Sequence, residues 1–149
     1  MDITFRPIGT VHSPFLKKED IKKSRNIDPD GFKDIEGELE IFEEFSEGLQ
    51  DIDGFSHIIL IFAFHKSEEK KLHAHPPFDG RRRGVFSTRS PNRPNPIGFS
   101  VLRLIERRNN ILHVLGVDML EGTPILDIKP YTPRDQKTDA RFGWLEKFR

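Results

Sequence analysis

The residues best equipped for chemistry stand together in "GVFSTRSPNRPNPIGFS", Gly84 to Ser100, where Arg89, Ser90, Asn92, Arg93 and Asn95 alternate with Pro91, Pro94 and Pro96. Two guanidinium forks, two amides and a hydroxyl can grip a carboxylate, a phosphate or the polar edge of a base. Each proline fixes its own φ, lacks an N–H and drives the residue before it out of the helical region. Ser90, Arg93 and Asn95 are therefore held extended, and the stretch can be neither a helix nor a central strand. A stiff arch is expected, with more carbonyls than N–H groups and the surplus acceptors free for a ligand. Its polar side chains are set in place beforehand, so little entropy is lost on binding. Gly98 is expected to let the backbone turn or approach that ligand closely. A structural role competes: prolines guard sheet edges, and the arginines could pair with acids elsewhere in the chain.

The elements that must carry this arch read as β. "ITFRPIGTVHS" is an N-terminal strand, with Pro7 at an edge or bulge, and residues 16–36 are polar enough for a long surface arm. "GELEIF" alternates Leu39 and Ile41 with Glu38 and Glu40, a half-buried strand. Phe42, Phe45 and Leu49 fall at helical spacing. "HIILIFAFH" is continuously apolar, as for a strand buried on both faces. Residues 66–84 are loop, and "GVFST" is a short strand leading into the arch. "FSVLRLIE" and "ILHVLGVDML" form a hairpin with Asn109 and Asn110 at its tip; "EGTP" turns into the strand "ILDI". Roughly seven short strands and little helix predict a mainly β, all-β barrel or sandwich, one domain over residues 1–149, with an extension at 132–149.

The chain has 149 residues and formal net charge zero, which taken alone argues against nucleic acid. The distribution argues otherwise. Nine acids and no base lie between Asp34 and Asp53, whereas eight arginines and one acid, Glu106, lie between Arg81 and Arg108. Such asymmetry makes a positive face on a neutral molecule. The absence of cysteine excludes disulfides, thiolate metal sites and cysteine nucleophiles, and fits a reducing cytoplasm. The longest apolar run, Ile58 to Phe64, is too short to cross a bilayer, so a soluble, cytoplasmic protein with no membrane partner is expected. His73 and His75 lack a defined third ligand, and no metal is expected. Arg81, Arg82 and Arg83, in a loop, suit RNA phosphates, and Arg93 of the arch joins them.

"FSHIILIFAFH" (Phe55 to His65), "GVFSTRSPNRPNPIGFS" and "EGTPILDIKPY" (Glu121 to Tyr131), in that order, closely resemble the TsaA-like, or TrmO, family. The resemblance runs from "IGTVHSPF" to Tyr131. It implies a single β-barrel domain with one or two short helices. It also implies S-adenosyl-L-methionine as methyl donor, transfer to N6 of threonylcarbamoyladenosine 37 beside the tRNA anticodon, and a homodimer. Carried over residue by residue, it implies a cofactor set of Arg25, Asn26 and Ile27, Phe64 and His65, Arg89 and Phe99, and Asp118, Met119, Leu120 and Glu121. Arg89 suits the cofactor carboxylate, Phe64 or Phe99 its adenine or sulfonium, and Asp118 or Glu121 its ribose. For holding the amine that accepts the methyl group, Asn95 and the arch carbonyls are candidates, with Asp127, Lys129 and Tyr131 of "DIKPY" added by family analogy. The chain departs from the family in reading Ser24-Arg25-Asn26 for Pro-Arg-Gln and Glu121 for aspartate. A non-catalytic RNA- or nucleotide-binding barrel, or a methyltransferase for another small amine, are the alternatives.

Overall fold

The computed structural model describes residues 1–27 and 31–148, with side chains 23–27 outside the description. Six strands close into one antiparallel barrel: β1 (Gly9–His12), β2 (Glu36–Ile41), β3 (His57–Ala63), β6 (Ile97–Arg108), β7 (Ile111–Leu115) and β8 (Pro124–Pro130). Their order round the wall is β1-β2-β7-β6-β3-β8, and β8 returns to β1 through Gly9 opposite Ile125. Two further strands, β4 (His73–Ala74) and β5 (Arg83–Gly84), form a small separate hairpin.

Alternation makes the wall. In β2 Gly37, Leu39 and Ile41 face inward and Glu36, Glu38 and Glu40 face out. In β6 Gly98, Ser100, Leu102 and Leu104 are buried while Ile97, Phe99, Val101, Arg103 and Ile105 are exposed. Val11, Leu39, Ile58, Leu60, Leu102, Leu112, Val114 and Ile125 fill the interior with no solvent exposure. β3 is buried on alternate residues only, not on both faces as its continuous apolar run suggested. Its outward Ile59 and Ile61 lie opposite Val101 and Phe99 of β6, so both strands place apolar side chains on the outer wall as well as in the core. The β6–β7 hairpin turns at Asn109 and Asn110 as expected, Asn109 taking the left-handed backbone (φ 54°) that such a two-residue turn requires.

Three local expectations are corrected. The arm contains an α-helix, α1 (Lys18–Ile27). It is started by the Asp20 carboxylate, which accepts the Leu16 and Lys17 N–H groups at 3.3 Å, and acids in the first turn favour the helix dipole. "GVFST" is no strand beyond Gly84: Val85–Ser87 is one 3-10 turn. Gly98 is not a flexible joint but a strand residue buried against the core. A Cβ there would collide with the ring of Phe62, so glycine is what lets that ring fill the barrel beside β6. The helix anticipated from Phe42, Phe45 and Leu49 is present as a 3-10 helix, Glu43–Leu49.

Candidate functional site

Because neighbouring strands run antiparallel, one rim of the barrel collects the end of β3, the start of β6, the end of β7 and the start of β8. The arch spans that rim. Its anchor is the Phe64 N–H, which donates to the Pro96 carbonyl at 2.8 Å. Inside the arch, one Arg93 nitrogen reaches the Thr88 and Ser90 carbonyls, each at 3.0 Å. The Ser67 hydroxyl lies within reach of the Pro91 carbonyl (3.1 Å) and the Asn92 amide oxygen (2.8 Å), and the Asn95 carbonyl accepts from the Ile97 N–H at 2.7 Å. The acceptors expected to remain free for a ligand are thus largely taken by the protein. Arg93, expected on RNA, is an internal strut.

What the braced arch turns outward is Arg89 and Asn95, both exposed. The Arg89 guanidinium lies over the Phe99 ring, 5.2 Å from its centroid, and among the described residues no carboxylate pairs with it. Its face rests on an aromatic that is itself 42% exposed, and its N–H edges remain available to an anion. Next to Phe99 on β6, the buried Ser100 hydroxyl donates to Asp118 at 2.8 Å. Phe64 packs edge-on against Phe62, centroids 5.2 Å apart. His65, where β3 leaves the barrel, has its pKa lowered by burial and then by Lys66, against a raising contact from the Ala63 carbonyl, which favours the neutral imidazole.

The remaining expected residues fall elsewhere. Met119 is buried in the core. Glu121 sits across the rim at β1, accepting the Ser13 N–H at 2.8 Å and facing His12 Nδ1 at 3.1 Å, while His12 Nε2 faces Glu40 at 2.8 Å. Leu120 lies between Met119 and Glu121 in the same crossing, half-buried, and its carbonyl accepts the Thr123 hydroxyl at 2.6 Å. The side chains of Arg25, Asn26 and Ile27 lie outside the described residues. Asp127 pairs with Lys129 at 2.8 Å on the outer wall. Tyr131 is at the opposite rim, its N–H on the His57 carbonyl at 3.2 Å. The seven residues of β3 separate Tyr131 from Asn95, roughly 20 Å of strand. Within one chain Asn95 does not meet the other expected catalytic residues.

The arginine loop is also divided. Arg83 forms a two-point bond with Asp79 at 2.7 and 3.2 Å, the Asp79 carboxylate being shut off from solvent. Arg83 also lies 4.7 Å over the Trp144 ring. Arg82 reaches His73 Nδ1 at 3.0 Å while remaining exposed, and Arg81 is exposed. The segment Gly143–Phe148, which the sequence left without a role, closes the loop. Trp144 stacks on Phe78, Phe148 packs edge-on to both, and the Trp144 indole N–H donates to the Ser87 carbonyl at 2.9 Å. Three aromatics within seven residues of chain, Phe142, Trp144 and Phe148, were its only sequence signal.

A cleft of about 510 Å³ opens at the opposite rim, between Phe45, Phe55 and the acids Glu44, Glu47, Asp51 and Asp127. Among the described residues no cation lines it, so it would repel a ligand carboxylate. Among the described residues no cluster of three histidines or acids could hold a metal ion. The arch rim has what a zwitterionic nucleoside-like ligand needs: an anion-binding fork, exposed aromatic surface and a carboxylate acceptor.

Residues 10–137 match the family described as the tRNA-methyltransferase O N-terminal domain. A probable S-adenosyl-L-methionine-binding protein of Pyrococcus abyssi is 54% identical over 97% of this chain and 77% of its own length. The mouse tRNA (adenine(37)-N6)-methyltransferase is 38% identical over 84% of this chain and 30% of its own length. The crystal structure of TrmO from Pseudomonas aeruginosa superposes with a TM-score of 0.77 at 37% identity, covering 97% of this chain and 63% of that one. The chain therefore spans about three quarters of the archaeal relative but under a third of the mouse enzyme.

Proposed function

The chain belongs to the tRNA-methyltransferase O family, and from that premise we propose that it binds S-adenosyl-L-methionine at the arch rim and methylates N6 of adenosine 37 in tRNA. The finer reading, that the accepted base carries threonylcarbamoyl, rests on the family resemblance alone. One observation carries the assignment of the site: Arg89 lies over Phe99 without an acid partner among the described residues, beside an outward Asn95. The cofactor supplies an electrophilic methyl group on a sulfonium. Arg89 would hold its carboxylate, Phe99 and Phe64 would offer aromatic surface to its cationic and adenine parts, and Asp118 would accept from ribose hydroxyls. Asn95 would accept one N6 hydrogen through its amide oxygen, orienting the amine and favouring its rehybridised form. Arg81 and Arg82 would contact tRNA phosphates.

The outer ribbon of β6, where Ile97, Phe99, Val101 and Ile105 are each about two-fifths to one-half exposed, supports a homodimer. A twofold packing of that ribbon would set one protomer's arch rim toward its partner's opposite rim, supplying what a single chain keeps apart. No helix is long and apolar enough to cross a membrane among the described residues; the cytoplasmic site of action follows from the tRNA reading proposed here.

Incubation of the protein with methyl-labelled S-adenosyl-L-methionine and bulk tRNA tests the proposal. Label is expected on adenosine beside the anticodon. Cofactor binding with no label in any tRNA, modified or unmodified at position 37, would leave a binding module or an enzyme for another amine.

A further inference from the structure

Resting on the tRNA reading above, we propose that Phe86 is a base-stacking residue, an aromatic face against which one unpaired base of the bound RNA loop lies. At 77% exposure it is the most exposed aromatic ring among the described residues. Among those residues no ring or cation stacks on it, whereas Phe78, Trp144 and Phe148 satisfy one another and Phe99 carries Arg89.

Exposure on a loose loop would mean little, but Phe86 stands on a pedestal. Val85 beneath it is 1% exposed and its N–H donates to the Leu72 carbonyl at 2.9 Å. The Ser87 hydroxyl donates to the Gly84 carbonyl at 2.8 Å and the Thr88 hydroxyl to the Val85 carbonyl at 2.9 Å. The Trp144 indole N–H fixes the Ser87 carbonyl from outside the turn. The backbone that carries the ring has already lost the freedom that binding would otherwise remove from it.

Its surroundings fit a polyanion. In the chain Phe86 is flanked by Arg81 and Arg82 on one side and Arg89 on the other, and no acidic residue occurs between Gly80 and Ile105. Proteins read RNA mostly where bases are unstacked, by combining cationic contacts to the backbone with aromatic faces for the bases.

The test is tRNA binding by fluorescence anisotropy across a salt series, with the sedimentation mass and S-adenosyl-L-methionine affinity of each variant measured alongside. Phe86→Ala is expected to weaken tRNA binding about tenfold. Phe86→Leu, which keeps apolar area but not the π face, is expected to lose nearly as much, while Phe86→Trp retains wild-type affinity. The salt slope and the cofactor affinity should not move, because no phosphate or cofactor contact is removed. Wild-type affinity in Phe86→Leu would overturn stacking, and a fall in sedimentation mass in Phe86→Ala would assign the ring to a second copy of the chain instead. Wild-type protein that binds no tRNA would overturn the tRNA reading itself, whereas tight wild-type binding left unchanged by Phe86→Ala would overturn this inference alone.

Discussion

Two places on one barrel treat their charges in opposite ways. On the β1–β2 wall, His12 bridges Glu40 and Glu121 and Glu121 also holds the Ser13 N–H, so every group has a protein partner. On the arch rim, Arg93 and Ser67 hold the backbone while Arg89 and Asn95 are turned away from it. The first arrangement is complete by itself. The second has put its internal bonds into the scaffold and left its recognition groups for something else. The lesson is that in a proline arch the identity of the side chain does not reveal its task; the direction of its hydrogen bonds does.

The largest effect should come from removing an outward group. Arg89→Ala is expected to weaken S-adenosyl-L-methionine binding roughly 10- to 100-fold, the worth of a charge-assisted bond, with the thermal midpoint nearly unchanged. Equal losses of affinity and stability would erase the contrast between rim and wall.

Gly98→Ala should act on the scaffold. A methyl driven into the Phe62 ring is expected to cost about 1–3 kcal/mol, read as a lower midpoint in thermal or urea unfolding. A neutral result would mean that the Phe62 ring has room to move aside.

Trp144→Ala is expected to raise tryptic cleavage after Arg81, Arg82 and Arg83 about fivefold, since losing a bond worth about 1 kcal/mol raises the open population of the loop by that factor. Cleavage elsewhere should be unchanged. Uniform acceleration would show that Gly143–Phe148 stabilises the whole barrel instead of the arginine loop.

The smallest effect concerns the closed wall. Glu40 first, then Glu121, raise the His12 pKa above its ordinary 6.5, outweighing desolvation. A raised folded-state value means the stabilisation is complete below 6.5 and is lost as pH rises through the folded pKa. For Glu121 desolvation pushes upward but the Ser13 N–H and His12 together pull the pKa below 4.5. Its contribution is present above that value and is lost as pH falls through the folded one. His12→Gln should therefore flatten the decline in stability above pH 6.5 by only a few tenths of a kcal/mol, because the partners are well exposed and water screens them. A steeper decline in the variant would reverse the sign argued here.

The strands were legible because period-two alternation is local: Glu36 to Ile41 shows both its faces in six letters, whereas their closure into a barrel came from the family resemblance. Helix α1 was not, because "KEDIKKSRNI" has apolar residues only at Ile21 and Ile27 and presents no repeating stripe. The role of Gly98 depends on β3 pairing with β6 across some forty residues, and no local rule gives that register. Arg89 and Arg93 read alike in sequence, both being arginines of the same proline-rich stretch. Only the folded arch shows that Arg93 reaches back to Thr88 and Ser90 while Arg89 lies on Phe99. The same holds for Asn95 and Tyr131, neighbours in the family pattern of expected roles but placed at opposite ends of β3.

The side-chain nitrogens themselves report most directly on which groups await a ligand. Nitrogen-detected magnetic resonance of the arginine Nε–H and asparagine amide signals, followed as S-adenosyl-L-methionine and then tRNA are added, should show Arg89 shifting with the cofactor and Asn95 with the tRNA while Arg83 and Arg93 stay in place. Movement of Arg93 or Arg83 with Arg89 silent would contradict the division between scaffold and recognition groups.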